Sequence, residues 1–186
     1  MKTSTLSLLC AASLLAACAT TPDPAPAIAA SKVQHDACNA AELKGQLAEA
    51  ELACKQALDF AIKAGAKDEL LSQRQYNLGR IKRLLGKHGE AEALYKQALA
   101  TEEAALPRSD ARIGRRLVEL ASALSAQGKW QEGSAYLERS LPLLLKLSDT
   151  SRTYSAEVLR QYAKQLQGGP QAALGKRFLE TAAVLK

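Results

Sequence analysis

The sequence predicts an all-α fold, an α-solenoid of about four stacked helical hairpins. The composition is the first observation behind this prediction. Leu, Ala, Glu, Lys, Gln and Arg dominate the 186 residues and favour helices, whereas aromatic residues are only 4% of the chain. The second observation is a pattern of small, apolar and turn-forming residues that returns every 41 or 42 positions, at residues 38, 79, 121 and 163.

Each copy of the pattern begins with a small residue and has a chain-breaking residue seven positions later. Gly and Pro interrupt helices, so each copy is predicted to be two helices joined by a turn. One hairpin cannot bury its apolar stripe alone, and neighbouring hairpins therefore stack into a continuous core. The small residues and their breakers are Cys38 with Gly45, Gly79 with Gly86, Ala121 with Gly128, and Ala163 with Pro170. The predicted helices cover residues 31–44, 47–64, 68–85, 89–105, 110–127, 130–147, 152–167 and 171–185, with Ser109 or Asp110 and Ser151 or Thr153 as N-caps.

The two middle copies resemble the tetratricopeptide repeat (TPR) family. The residues that carry the resemblance are Asn77-Leu78-Gly79, Gly86, Ala91, Tyr95 and Ala98-Leu99, followed by Leu120-Ala121, Leu124, Gly128, Trp130, Leu137 and Leu141. The period near 42 is similar to the long-helix variant found in kinesin light chains. The resemblance implies a right-handed superhelix with repeats at about 31–64, 72–105, 114–147 and 156–186, and a concave groove that holds peptides. The sequence departs from the family at Lys82, at Pro142, which should kink its helix, and at Pro170.

The first residues are typical of an export signal. Leu6 to Ala17 is mostly apolar and too short to cross a bilayer. It ends in Leu15-Ala16-Ala17-Cys18, which resembles the lipobox of bacterial lipoproteins. The resemblance implies lipidation of Cys18 by chains such as palmitate, and Ala19 implies sorting to the outer membrane, facing the periplasm. The alternative is an ordinary signal cleaved after Ala17. We therefore expect a signal peptide at 1–17, a lipidated Cys and flexible Pro/Ala tether at 18–30, and a TPR-like domain at 31–186.

Two cysteines lie symmetrically about the first predicted turn. Cys38 and Cys54 are each eight residues from Gln46, so they should face one another across an antiparallel hairpin. An exported protein is in an oxidising compartment, which favours a disulfide between them. The alternative is a pair of free, buried thiols. Cys10 would leave with the signal.

The residues offer little support for catalysis. The chain has two histidines, His35 and His88, and no Gly-rich phosphate loop after a strand. The carboxylate pairs Asp68-Glu69 and Glu102-Glu103 are interpreted as solvated charges at helix ends, and Trp130 as a core residue. We expect no enzyme activity, no catalytic residue, no metal and no cofactor. A pI near 9.2 without a Lys/Arg run, a set of stacking aromatic residues or zinc-ligand spacing gives no reason to expect nucleic acid as a partner.

The face predicted to line the groove is basic. Sixteen positions on the first helix of each repeat contain six cations and two acids, against 25 and 19 in the whole chain. A solvated face with a chance excess of cations is the alternative. The residues expected to bind a peptide are Tyr76, Asn77, Arg80, Arg83, Arg115, Arg160 and Lys164.

These observations predict a membrane-tethered scaffold that binds a protein or peptide partner, with acidic groups, in the bacterial envelope. Alternatives are an accessory regulator of cell-wall synthesis, pilus or outer-membrane protein biogenesis, a charge-based binder of an anionic envelope polymer, and an envelope enzyme. The chain ends within the last predicted helix, so Phe178, Leu179, Ala182 and Leu185 are expected to form an apolar strip. Such a strip would support a homo-oligomer or a partner contact at the C-terminal edge.

Overall fold

A computed structural model describes residues 23–185, which form eight α-helices, one 3-10 helix and no strand. The predicted all-α architecture is confirmed. The α-helices are α1 (Ala25–Leu43), α2 (Leu47–Lys63), α3 (Glu69–Leu84), α4 (His88–Ala105), α5 (Ala111–Ser125), α6 (Trp130–Ser140), α7 (Asp149–Gln165) and α8 (Ala172–Val184), and the 3-10 helix Leu141–Lys146 follows α6.

Consecutive helices pair as four hairpins, and the second helix of each of the first two hairpins packs against the first helix of the next. In the third hairpin the 3-10 helix Leu141–Lys146 packs back against α5, and α5 and α6 both contact α7. The first three hairpins turn at Gly45, Gly86 and Gly128, with φ of 72°, 74° and 74°. Only glycine adopts this left-handed conformation readily, which explains its recurrence. In the fourth hairpin the turn residue is Gly168, with φ of 73°, rather than Pro170, because proline cannot adopt positive φ.

The first helix begins earlier than the sequence predicts. α1 starts at Ala25, so residues 25–30 are helical and do not belong to the flexible tether that was expected there. Pro24 caps this helix and Pro26 lies in its first turn, where a missing backbone donor costs nothing. The amide of Ile28 donates to the carbonyl of Pro24 at 3.0 Å. The helices therefore begin before the predicted start of the repeat domain at residue 31.

The helix that contains Pro142 changes its geometry there, as expected. α6 ends at Ser140 and the chain continues as the 3-10 helix Leu141–Lys146. This segment buries Leu143 against α5. A Cβ placed on Gly114 would lie 2.7 Å from the Cβ of Leu143, so only glycine permits this approach.

The N-cap predictions had mixed outcomes. Asp110 caps α5, and its Oδ1 accepts from the amide of Arg112 at 2.9 Å. The prediction of Ser151 or Thr153 as the cap of α7 is wrong. α7 begins at Asp149 after Ser148, immediately beyond the end of the 3-10 helix.

The predicted apolar strip at the C-terminal edge is also wrong. Phe178, Ala182 and Leu185 are buried, and of the predicted strip only Leu179 is exposed. The buried residues recur at helical spacing on the face of α8 that packs against α7. The Phe178 ring lies 6.4 Å from the ring of Tyr162 in α7, in an edge-on arrangement. The fourth hairpin therefore closes on itself, and its edge gives no support for an oligomer.

Candidate functional site

A disulfide joins the two helices of the first hairpin. Cys38 in α1 and Cys54 in α2 are bonded with 5.1 Å between their Cα atoms, and both are buried. The pairing is the one predicted from their symmetry about Gln46. It fixes the hairpin whose first helix forms one end of the groove. Cys18 lies outside the described residues.

Two adjoining cavities open on the first helices of the hairpins, and Arg80 and Arg115 line both. The larger has a volume of about 310 Å³ and a mostly polar, charged lining. We call it the polar cavity; it is lined by His35, Asn39, Glu69, Gln73, Tyr76, Asn77, Arg80, Glu102, Arg112, Arg115 and Arg116. The smaller, of about 220 Å³, we call the Tyr154 cavity; it is lined by Arg80, Arg115, Val118, Glu119, Thr150, Ser151, Tyr154 and Ser155.

Tyr76 lines the polar cavity and lies beneath two arginines. Its side chain is buried, and the guanidinium carbons of Arg116 and Arg115 lie 3.8 Å and 4.9 Å from the centre of its ring. Its hydroxyl donates to Glu119 Oε1 at 3.1 Å. Burial and the nearby Glu119 carboxylate raise the pKa of Tyr76 to about 12. Tyr76 therefore remains a neutral phenol that supports two arginines through cation–π contacts.

The buried carboxylate of Glu119 accepts hydrogen bonds from the tyrosines that surround it. Tyr95 and Tyr154 donate to its Oε2 at 3.4 Å and 3.3 Å, in addition to the Tyr76 contact. Arg83 Nε lies 3.4 Å from the same oxygen, and the Arg83 guanidinium is 5.6 Å from the Tyr154 ring centre. Burial raises the pKa of both tyrosines. Arg83, predicted to contact a ligand, instead neutralises a buried acid.

A second buried ion pair lies on the other side of Tyr76. Arg116 Nη2 donates to Glu102 Oε1 at 2.7 Å, and the Ser72 hydroxyl donates to the same oxygen at 2.6 Å. Glu102 is 4% exposed, so its interpretation as a solvated charge at a helix end is wrong. Glu103, its neighbour, is exposed and pairs with Arg139. Helix periodicity explains the difference, since adjacent residues face directions about 100° apart.

Asn77 and Arg80 contact residues of the first hairpin. Asn77 is buried, and its Nδ2 lies 3.3 Å from His35 Nδ1. Arg80 forms an ion pair with Glu42. Burial and the Arg74 guanidinium lower the pKa of His35, which favours its neutral form. These two predicted site residues line the polar cavity, and each has one nitrogen engaged by the first hairpin, whereas Arg80 Nε has no hydrogen-bond partner within residues 23–185.

Arg115 differs from the other three arginines that line the two cavities, Arg80, Arg112 and Arg116. It is exposed and makes no ion pair within residues 23–185, although it lines both cavities. Arg112, which the sequence analysis did not select, also lines the polar cavity but pairs with Asp110 and Glu69. Arg115 is therefore the cation best placed to receive a ligand.

Arg160 and Lys164 lie on α7 and line neither cavity. Both are exposed, and Arg160 Nη2 donates to the carbonyl of Ala182 at 3.3 Å. The structure therefore brings together only part of the predicted basic groove. The net positive charge of the groove is lower than predicted because Arg80 and Arg83 are paired with acids.

The described segment shows no cluster of three or more His, Cys, Asp and Glu side chains that could hold a metal ion. No helix between residues 23 and 185 is both long and apolar enough to span a membrane.

Comparison with known proteins supports the repeat assignment. A family model for the tetratricopeptide repeat matches residues 30–104. A kinesin light chain-type protein of Podosopora anserina, with nearly identical TPR-like repeats, is similar in structure: the TM-score is 0.65 at 22% identity, covering 83% of this chain and 74% of that one. A single-substitution variant of the same P. anserina protein gives a TM-score of 0.60 at 21% identity, and the alignment covers 84% of this chain and 87% of that one.

BtubC (BKLC) from P. vanneervenii is also similar, with a TM-score of 0.71 at 15% identity. The alignment covers 83% of this chain but 62% of BtubC. A search of curated proteins found no match. The predicted likeness to TPR repeats of the kinesin light chain type is confirmed, and the chain has the fold of a TPR solenoid.

Proposed function

We propose that this chain is a lipid-tethered, non-catalytic TPR scaffold that binds an acidic segment of a protein partner in the bacterial envelope. Arg115 carries the proposal. Its guanidinium is held over the Tyr76 ring at the junction of two cavities, without an acidic partner among residues 23–185. A TPR fold supports a protein partner in general, and this cation indicates the chemistry of the partner.

The site favours a carboxylate next to an apolar side chain. The planar fork of Arg115 can donate two parallel hydrogen bonds to a carboxylate. The adjoining Tyr154 cavity is lined by Val118 and the Tyr154 ring and can take an apolar group. Since three of the four arginines that line the two cavities are already paired with acids, these two adjacent features favour a shaped peptide over an anionic polymer held by charge alone.

The tether rests on the sequence at Leu15-Ala16-Ala17-Cys18. Acyl chains on Cys18 would hold the protein to a membrane, and Ala19 favours the outer membrane with the repeats in the periplasm. The buried Cys38–Cys54 disulfide supports export, because disulfides persist in oxidising compartments. In Cys18→Ser cells we expect the protein to leave the membrane fraction. Unchanged membrane association and processing would contradict the tether.

Site-specific photo-crosslinking in cells tests the groove as the binding surface. We place the crosslinker at Thr150, an exposed residue that lines the Tyr154 cavity, and as a control at Ala135, which is exposed on α6. We expect the Thr150 protein to capture a protein partner that mass spectrometry identifies, with crosslinks near acidic residues. The proposal would be contradicted if the Ala135 protein captured the same partners as the Thr150 protein. It would also be contradicted if only the Ala135 protein captured a partner.

A further inference from the structure

The first hairpin has an unusual concentration of exposed apolar side chains. Nine large hydrophobic residues are exposed in the described part of the chain, and five of them lie in this hairpin. The exposed fractions of Leu43, Leu52 and Ile62 are 89%, 60% and 58%. Leu43 ends α1, while Leu52 and Ile62 lie on α2. Ile28 and Val33 on α1 are the other two.

The outer face of α2 combines these apolar residues with lysines. Leu52, Lys55, Ile62 and Lys63 recur at spacings that place them on one side of the helix. Lys44 and Lys67 lie just beyond its two ends. None of the four lysines makes an ion pair within residues 23–185, and neither do the two acids on this face, Glu49 and Asp59. Counting Asp68, which follows Lys67, four cations oppose three acids, so the face keeps a small positive charge.

The repeat architecture does not require this pattern. The position of Leu52 is occupied by Ala93 in α4 and Ala135 in α6, which lie 41 and 83 residues later. The position of Ile62 is occupied in α4 by Glu103 and in the third repeat by Leu145, which is also exposed. Lys96, equivalent to Lys55, is paired with Glu92 and Glu132. Among residues 23–185, the combination of exposed Leu52 and Ile62 with an unpaired lysine at the Lys55 position is therefore found in the first hairpin, although the third repeat shares the exposed apolar residue at the Ile62 position.

The hairpin that includes α2 begins shortly after the predicted anchor in the sequence. Cys18 is seven residues before Ala25, the first residue of α1, and seven residues span at most about 25 Å. The Ser31 hydroxyl donates to the carbonyl of Ala57 at 2.8 Å, so the start of α1 runs beside the end of α2. An anchor at Cys18 would therefore hold this face within reach of the bilayer.

We infer that the outer face of α2, together with Leu43 at the end of α1, rests on the anionic phospholipid surface of the bilayer that holds the anchor. The inference rests on the proposed tether. Leu43, Leu52 and Ile62 enter the interfacial layer, and the four lysines approach the lipid phosphates. A short tether makes this contact effectively intramolecular, so a weakly binding face is sufficient. The groove, on the first helices, then opens away from the bilayer.

Tryptophan quenching by brominated lipids tests the contact in the full chain purified from cells. The Leu52→Trp protein is compared with Ala93→Trp, its matched control one repeat later, and the parent with its single Trp130 gives the background. The vesicles contain brominated phosphatidylethanolamine and phosphatidylglycerol. We expect a clear loss of emission for Leu52→Trp, little for Ala93→Trp, and recovery when Lys55→Glu and Lys63→Glu are added to Leu52→Trp. Ile62→Trp with Glu103→Trp is a second pair if the first misfolds.

The mass of the same samples shows whether Cys18 is acylated, which separates this inference from the tether. An acylated protein in which Leu52→Trp and Ala93→Trp are equally unquenched overturns the inference and leaves the tether standing. If Cys18 is not acylated, the proposed tether fails, and quenching still decides the inference. Selective quenching of Leu52→Trp would then support the face as a lipid-binding surface, and its absence would overturn it.

Discussion

Lys129 Nζ lies 2.8 Å from Glu92 Oε2, and the same contact joins Lys87 to Glu51 one repeat earlier, also at 2.8 Å. Each lysine follows a turn glycine and reaches back to the second helix of the preceding hairpin. At the last junction the equivalent residues, Gln171 and Ser134, form a 3.3 Å hydrogen bond instead. A repeating polar contact therefore fixes each turn against its neighbour.

The Glu92 contacts predict a stability that depends on pH. Burial opposes its charge, but hydrogen bonds from Lys129, Lys96 and Gln127 lower the pKa of Glu92 to about 2 from the usual 4.5. Because the folded-state pKa is lowered, the stabilisation is fully present above about pH 4.5 and is lost as pH falls towards 2. We expect Glu92→Gln to lower the free energy of unfolding at pH 7 by roughly 3 kcal/mol at most. Urea unfolding of both proteins across this pH range should show the difference shrinking, whereas a constant difference would contradict it.

The disulfide predicts a loss of stability on its removal. The bond closes a loop with a sequence separation of 16. Its removal increases the conformational entropy of the denatured chain, which lowers the free energy of that state by roughly 3 kcal/mol. We expect the Cys38→Ala/Cys54→Ala protein to unfold at lower urea concentration than the parent. Reductant should lower the stability of the parent and leave the double variant unchanged. Equal stability of oxidised parent and variant would contradict a structural role.

Two glycines predict opposite effects of the same substitution. A Cβ on Gly133 would lie 1.7 Å from the hydroxyl oxygen of Tyr162, which is buried and donates to the carbonyl of Ala121 at 2.7 Å. We expect Gly133→Ala to destabilise the protein by about 1–3 kcal/mol. Gly89 is also helical, but the nearest packing neighbour of a Cβ added there would be Gln127 Oε1, at 3.9 Å. We therefore expect Gly89→Ala to be neutral or to stabilise the protein by up to about 1 kcal/mol. Thermal unfolding measures both, and equal losses would refute the packing argument.

The buried Arg116–Glu102 pair predicts a large cost when one partner is removed. Glu102→Ala leaves the Arg116 charge buried without a counterion, which costs about 3–5 kcal/mol. Glu103→Ala is the control, because it removes only the exposed pair with Arg139 and should cost less than about 1 kcal/mol. Urea unfolding at pH 7 distinguishes the two. Similar losses would show that the buried pair has no special role.

The repeats were predictable from the sequence because turns and close helix contacts restrict residue type. Gly86 and Gly128 have positive φ, and Gly79 and Ala121 lie where two helices approach closely. These positions can be recognised in the sequence even when the residues that pack against them are not known. The start of α1 was not predictable, since the proline-rich composition indicated a tether. Proline in a first helical turn is compatible with either interpretation.

The buried charges were the part of the site that the sequence analysis missed. Glu and Arg are typical of exposed helix faces, so the residue types of Glu119 and Arg116 do not indicate burial. Their burial depends on which face of α5 packs against the neighbouring helices. A signal was nevertheless present. Glu119 occupies the repeat position of Asn77, and Arg116 that of Arg74, each 42 residues later, and all four are buried. Equivalent positions across repeats therefore predict burial better than composition does.

The most direct test of the scaffold proposal is the affinity of the groove for the protein segment identified by crosslinking at Thr150. We compare Arg115→Glu with Lys164→Glu, which changes the same charge at an exposed residue that lines neither cavity. Fluorescence anisotropy with the synthetic segment gives the Kd, after circular dichroism has shown equal helicity. We expect at least about a tenfold weaker Kd for Arg115→Glu, equivalent to about 1.4 kcal/mol, and little change for Lys164→Glu. An unchanged Kd for Arg115→Glu, or an equal loss for both variants, would contradict binding at this site.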